Sequence, residues 1–449
     1  MKKITILLIT IITCCLTACT TDDDKGVELF DVTITLSETI DEAQVTLKGA
    51  SIYTQQTNSQ GIAHFAVPAG NYEASTTGYL IRNGRRVVYN AVMGQIGVGR
   101  GQQNTATLDI KKSEGEAVLI IKEIYNGGVM LDDGSKSFNY DKCAILYNNS
   151  DQPCTTENLC FGFAPQYNAE ATGQSKLYEN GKLVFEDEQF VPAMSGIWYF
   201  QQPLTIEPYS QVVVNIHGAI DNTITVTNSV NYANSDYYCM YDPDYVTSDV
   251  TNNSAVSYNN TSYYPAPADV IPTSHYLKTI KYGQGNAWAL SATSPALFIF
   301  QTKGTTPQEY FENADNYWYI PGSAATPVFR CVKVPYEWII DGVEVFNRAK
   351  LDACQKRLPA DIDAGSVAQT SQLGHVVYRN VDKQATESLA ENQGKLVYNY
   401  ALGVDQSTDP STIDAEASIK NGAHIIYQDT NNSSNDFHER QRCSLREAN

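Results

Sequence analysis

The chain is poor in positive charge. Its 449 residues hold 31 lysines and arginines against 50 aspartates and glutamates, a formal charge of −19 at pH 7. A surplus of that size repels phosphate backbones and argues against a nucleic-acid partner. Histidine is scarce too: His64, His217, His275, His375, His424 and His438 stand singly, with no His-Glu-x-x-His pair to hold zinc. No Gly-x-Ser-x-Gly elbow and no Gly-x-x-x-x-Gly-Lys phosphate cradle occurs, so the common hydrolase and nucleotide-binding signatures are missing. Carboxylates are so abundant that a pair at glycosidase spacing carries no information by itself. No solenoid-type period repeats along the chain. What is abundant is tyrosine, 29 against 5 methionines, with only 18% charged residues. That composition belongs to β-rich extracellular sandwiches, and the length asks for two or three domains.

Long apolar runs are absent apart from Ile4 to Leu16, which follows Lys2-Lys3 and is too short to span a bilayer comfortably. It reads as a secretory leader over residues 1–18, and losing it makes the chain two charges more negative. Leu16-Thr17-Ala18-Cys19, followed by Thr20-Thr21-Asp22-Asp23-Asp24, resembles a bacterial lipoprotein box. The resemblance implies cleavage before Cys19, lipid on its thiol and new amino group, and a tether over residues 19–28. The acidic residues after the cysteine also resemble the export tag of lipoproteins in gut Gram-negative anaerobes. That implies an outer-membrane, lipid-anchored protein facing the cell exterior.

Seven cysteines follow the tether: Cys143, Cys154, Cys160, Cys239, Cys331, Cys354 and Cys443. An exported compartment permits disulfides, yet an odd count leaves at least one thiol over and spacing does not give connectivity. Cys154 and Cys160 are the nearest pair, and a small-loop disulfide is the expectation for them.

Period-two alternation begins at Phe30 to Leu36 and continues in short runs at Ala43–Leu47, Ser51–Gln56, Ile62–Val67, Tyr72–Thr77, Arg86–Met93 and Thr105–Ile110. Turn residues separate them at Ser59-Gln60-Gly61 and Pro68-Ala69-Gly70-Asn71. The stretches Thr57-Asn58-Ser59-Gln60-Gly61-Ile62-Ala63-His64-Phe65 and Pro68-Ala69-Gly70-Asn71-Tyr72 are similar to the carboxypeptidase-regulatory, or collagen-binding B-type, sandwich. The resemblance implies a small prealbumin-like spacer or interaction module over residues 29–112.

After the charged patch Lys111 to Glu116 come Ala117–Ile124, Cys143–Ser150, Leu159–Phe163, Leu204–Pro208 and Val212–Val214. This order resembles a lamin-tail-type, immunoglobulin-like sandwich, implying a second, larger all-β domain over residues 117–449. Together with Gly285 to Ser291, Ser294 to Phe300, Trp338 to Glu344 and Asp429 to Phe437, it is similar to a group of surface lipoproteins of gut anaerobes that pair these two sandwiches and have no known activity. Residues 228–275 read as an inserted loop. Thr306-Pro307 reads as the capped start of a short helix, and Ala423–Tyr427 as the closing strand.

Three groups of residues are candidate sites. Tyr237, Tyr238, Tyr241, Tyr245, Tyr258, Tyr263 and Tyr264 crowd the inserted loop, where exposed rings offer flat contact area for a sugar, a porphyrin or a protein. The other reading is that these rings pack the loop onto the sandwich. Asp242, Asp244 and Asp249, and separately Asp429, Asn431 and Ser433, offer oxygens to calcium but lack the central glycine and distal glutamate of a calcium loop, so turn capping competes. No other cofactor is expected. The functional expectation is a non-enzymatic surface lipoprotein that captures a ligand, iron or haem among the options, for a TonB-dependent outer-membrane transporter. An adhesion or structural protein that holds a host or matrix macromolecule is the alternative.

Overall fold

The computed structural model describes residues 27–171, 174–245, 258 and 260–446. It is predominantly β, built of open sheets rather than a barrel, and divides into two units. One comprises the chain up to Gly78 with Tyr89–Lys112, the other Tyr79–Val88 with Ser113–Asn449. The tip of the long hairpin Gly70–Arg82/Arg85–Val98 therefore belongs to the second unit, although the sequence reading gave all of 29–112 to the first.

In the first unit Leu29–Leu36 runs between Ile62–Pro68, its antiparallel neighbour, and Thr105–Leu108, its parallel one. Its second sheet contains Ile52–Gln56, Gln44–Lys48 and the long hairpin. One side of each strand is apolar: Val32 and Ile34, Val45 and Leu47, and Ala63, Phe65 and Val67 are buried, with more exposed residues between them. Tyr72 closes its hairpin by donating its hydroxyl to Pro68 O at 2.9 Å.

The second unit is built on two six-stranded sheets. The first runs in the order Tyr238–Cys239, Gln211–Asn215, Cys143–Asn148, Leu119–Tyr125, Val376–Arg379, Phe437–Arg440. The second runs Lys278–Lys281, Gly196–Tyr199, Leu159–Phe163, Ala296–Gln301, Ile339–Asn347, Val367–Gln369. Their inner faces share one core, with Ile121, Leu146 and Val214 from the first sheet and Phe161, Trp198, Leu297, Ile299 and Val343 from the second. Each such side chain contributes about 1.5–3 kcal/mol by leaving water.

The outer faces are covered as well. Ile145, Tyr147 and Tyr378 pack under residues of the 226–232 and 413–427 segments. Phe298 and Phe300 pack under Phe311 and a three-stranded sheet of Phe190–Met194, Arg330–Pro335 and Tyr317–Tyr319. Double cover explains why Leu119–Tyr125, Cys143–Asn148 and Ala296–Gln301 are buried at every position, where a strand with one wet face alternates. Gly162 sits opposite Phe298, whose ring lies where a Cβ would stand, 2.7 Å from its Cζ. The helix Pro307–Phe311 starts with a full capping box between Thr306 and Glu309 and seats Phe311 in the core.

Ala423–Tyr427 is not the closing strand; that is Phe437–Arg440. Side chains do the work of a ladder along 424–427. Asn392 bonds both backbone groups of His424, Tyr147 donates to Ile425 O, Thr386 serves both groups of Ile426, and Asn149 clamps both of Tyr427. With those polar groups satisfied, no neighbouring strand is required.

Candidate functional site

One side of the second unit carries an open groove of about 330 Å³. Its first wall is the hairpin tip. Asn83 and Gly84 both have positive φ, 53° and 75°, the two-residue turn that keeps the strands in register and sets Tyr79 and Arg86 near each other. The Arg86 guanidinium lies 4.6 Å from the Tyr79 ring centre, and the Tyr79 hydroxyl donates to the Asp151 carboxylate. Burial, then the hydrogen bond and charge of Asp151, push that phenol up to about 12.

Tyr209 supplies a second ring, stacked on the His424 imidazole at 4.6 Å with 22° between the planes. The clamped segment at Ile426-Tyr427 and the helix start at Asp382 complete the lining. Asp382 accepts from Ala385 N at 2.9 Å and so fixes the helix Lys383–Ser388.

A second hollow of about 280 Å³ shares Ala117 and Asp429 with the first and adds Arg85, Asp341 and Asp361. Asp429 is held by Arg379 at 3.0 Å. Arg379 also pairs with the buried Asp341, whose carboxyl burial raises against the pull of that arginine. Neither hollow is lined by a histidine, cysteine or lysine among the described residues. The arrangement offers carboxylate acceptors, two arginine forks and two tyrosine rings, which is hydrogen-bonding and stacking chemistry.

Of the residues singled out in the sequence, Asp429 and Asn431 line these hollows, and the other described ones lie elsewhere. Tyr258 and Tyr264 are buried in the sandwich core, stacked or tilted against Trp198 at 5.6 and 5.7 Å. Tyr264 accepts from Trp288 N at 2.8 Å, and Tyr258 donates to Ser195 O at 3.3 Å. Tyr263 packs its edge on Tyr140, Tyr238 stacks on His275 and Tyr241 meets Tyr276. Tyr245 accepts from Lys281 N. These half-buried rings fasten the loop to the fold, so the packing reading prevails for Tyr258 and Tyr264 and accounts for contacts of the rest.

Asp242 is buried and already occupied, accepting from Lys278 Nζ at 2.9 Å and Thr279 N at 3.1 Å. Asp244 is exposed, and Asp249 and Cys19 lie outside the described residues. Ser433 donates to Asp363 rather than completing a calcium loop with Asp429 and Asn431. Among the described residues no three His, Cys, Asp or Glu side chains cluster as a metal site.

Cys154 and Cys160 are free thiols in different cores, Cys154 between the two sheets and Cys160 on the far side of the second. Cys160 lies on a strand that sends neighbouring side chains to opposite faces, so the expected small-loop bond does not form. The groove residues escaped the sequence reading because Tyr79, Arg86, Asp151, Tyr209 and Asp382 come from four separate segments. The Asn83-Gly84 turn was the only local signal pointing to them.

Residues 207–401 match a family model described as "Protein of unknown function (DUF4876)". No curated protein matches the chain. A crystal structure of a DUF4876 family protein from Bacteroides thetaiotaomicron matches with a TM-score of 0.50 at 17% identity, covering 91% of this chain and 94% of that one. A DUF3823 family protein from Parabacteroides merdae matches at 9% identity and a TM-score of 0.15, over 42% of this chain and 99% of that one. In sequence across its middle, and in fold over most of its length, the chain is similar to the DUF4876 proteins.

Proposed function

We propose that the protein is a non-enzymatic, lipid-anchored binding protein on the exterior face of an outer membrane, where it captures a nutrient for a TonB-dependent transporter. The observation that carries this reading is the groove between Tyr79 and Tyr209, a polar and aromatic recess that presents carboxylates, an arginine and tyrosine rings to a ligand. The lipoprotein-like leader and Cys19 support the location, and the regulatory-like and lamin-tail-like sandwiches supply a stalk and a platform. With Asp341 and Asp429 already paired to Arg379, Asp151, Asp382 and Asp361 against Arg85 and Arg86 favour neutral or cationic cargo. If the cargo is iron or haem, phenol and carboxylate oxygens are the ligands on offer.

Mass spectrometry of the intact lipoprotein, affinity-purified from gently solubilised outer membrane, tests this. A stoichiometric transporter or a bound small molecule supports capture. Protein that is recovered alone and empty overturns it and brings the adhesion reading forward.

A further inference from the structure

Cys143 opens the Cys143–Asn148 strand in the middle of the first sheet of the second unit, and Cys443 follows the Phe437–Arg440 strand at that sheet's edge. Two strands separate these in the sheet. The chain nevertheless turns back after Arg440: Gln441 N donates to Leu402 O and Ser444 N to Glu123 Oε1 at 3.0 Å. This path carries Cys443 across the sheet's outer face into the same apolar cluster as Cys143, where both sulfurs are fully buried.

There Cys143 pairs across from Tyr125, and Ser444, the residue after Cys443, bonds Glu123 two positions earlier on the same strand, so both cysteines lie in one buried cluster against that strand's end. Tyr125, Tyr232 and Tyr237 surround them, each near enough to both sulfurs to be influenced by both. Four of the other five thiols have oxygen neighbours instead. Cys154 meets Thr156 Oγ1, Cys160 Asn158 O, Cys331 Phe329 O and Cys354 Asn347 O.

We propose that Cys143 and Cys443 form a disulfide, a clasp that fixes the C-terminal segment across the outer face of the sheet. The two S–H bonds break and one S–S bond forms. Two protons leave, and two electrons reduce the disulfide of a donor, a dithiol–disulfide oxidoreductase or a small disulfide such as that of glutathione, to thiols. One cysteine thiolate attacks the donor to give a mixed disulfide, and the second displaces it. Because both thiols are fully buried once docked, and burial raises the Cys443 thiol, exchange takes place before the C-terminal segment seats. Persistence of the bond rests on the exported location proposed above, since reducing compartments would open it. A bond between positions so far apart in sequence restricts the unfolded chain strongly.

The test begins with purified full-length protein, reduced, unfolded and refolded with glutathione disulfide. Free thiols are trapped with N-ethylmaleimide, and peptides are mapped without reduction. A linked peptide pair holding Cys143 and Cys443 is expected, together with a higher urea midpoint than the reduced protein shows. A Cys443→Ser variant should lose the midpoint's response to oxidation. Maleimide on both cysteines, or linkage of either to another cysteine, overturns the pairing, and an unchanged midpoint in the linked protein overturns the clasp. The same map made on protein taken directly from the cell envelope separates the two proposals. A pair that forms on refolding but is open in the envelope leaves the pairing intact and overturns the exported location.

Discussion

Arg357 and Glu344 form a fully buried ion pair, with Arg357 Nη2 2.6 Å and Nε 2.8 Å from Glu344 Oε1. The other carboxylate oxygen accepts from the backbone N–H groups of Arg357 and Leu358 at 2.8 and 2.9 Å, and Arg357 Nη1 donates to Gln166 O at 2.9 Å. Glu344 lies on the Ile339–Asn347 strand, so the pair ties the following segment to the second sheet. Removing one partner strands the other without water. Glu344→Ala should cost about 3–5 kcal/mol in urea unfolding. Glu344→Leu combined with Arg357→Met should recover part of that loss, because the orphaned charge is gone while the backbone N–H groups of Arg357 and Leu358 still lack their acceptor. A single variant that unfolds at the wild-type urea concentration would contradict this.

The capping box at Thr306 predicts a smaller and local effect. Thr306 Oγ1 accepts from Glu309 N at 3.2 Å, and the Glu309 carboxylate accepts from Thr306 N at 3.1 Å. Thr306→Ala removes one arm and should lower stability by about 1 kcal/mol. Hydrogen exchange should quicken at Glu309 and its neighbours while the sheets keep their protection. Uniform loss of protection would mean that the turn matters to the whole unit.

Much of the fold was legible because burial imprints itself on local pattern. Strands with one wet face, such as Leu29–Leu36, alternate and were found almost to the residue. The doubly covered strands show as apolar runs, but nothing in an apolar run names its neighbours, so the sheet order was not readable. The Asn-, Ser- and Thr-rich loop misled because its tyrosines have no period. Tyr258 and Tyr264 reach the core beside Trp198 by tertiary packing alone. Ala423–Tyr427 misled for the opposite reason: its pattern suits a strand, yet Asn392, Thr386 and Asn149 take the hydrogen bonds that a strand would have taken. The groove was illegible because its chemistry is shared among residues of the hairpin tip and of segments flanking the first sheet, which are distant in sequence.

Thiol accessibility offers a direct check on the packing. Cys143, Cys154, Cys160, Cys239, Cys331 and Cys443 are buried, while Cys354 is half-buried. Burial also raises the Cys354 thiol, so its reaction requires alkaline conditions. Brief iodoacetamide treatment of reduced, folded protein at about pH 8.5 should modify Cys354 first, as read by peptide mapping. Prior modification of Cys154 or Cys160 would show that their cores open more readily than the fold implies.

Two buried groups give pH dependences of opposite sign. His438 is kept neutral, its Nδ1 2.7 Å from Asn380 Oδ1 and its Nε2 2.7 Å from the Tyr400 hydroxyl. Burial and then Arg440 lower it to about 3. The unfolded chain therefore takes up a proton first as pH falls below 6.5, and the His438 contribution is lost on the way down to pH 3, at about 1.4 kcal/mol per pH unit. Asp141 does the reverse. Burial lifts its carboxyl to about 6, against the hydrogen bonds of Ser229 and Tyr125, so the folded chain takes up a proton first between pH 6 and 3.8. Its contribution grows with acid over that window by about 3 kcal/mol. In the wild type the two slopes largely offset. Urea unfolding at pH 6.5 and pH 4 should therefore show Asp141→Asn losing more stability with acid than the wild type, and His438→Gln losing less. Equal acid responses in all three proteins would mean that neither group is held in the ionisation state its surroundings dictate.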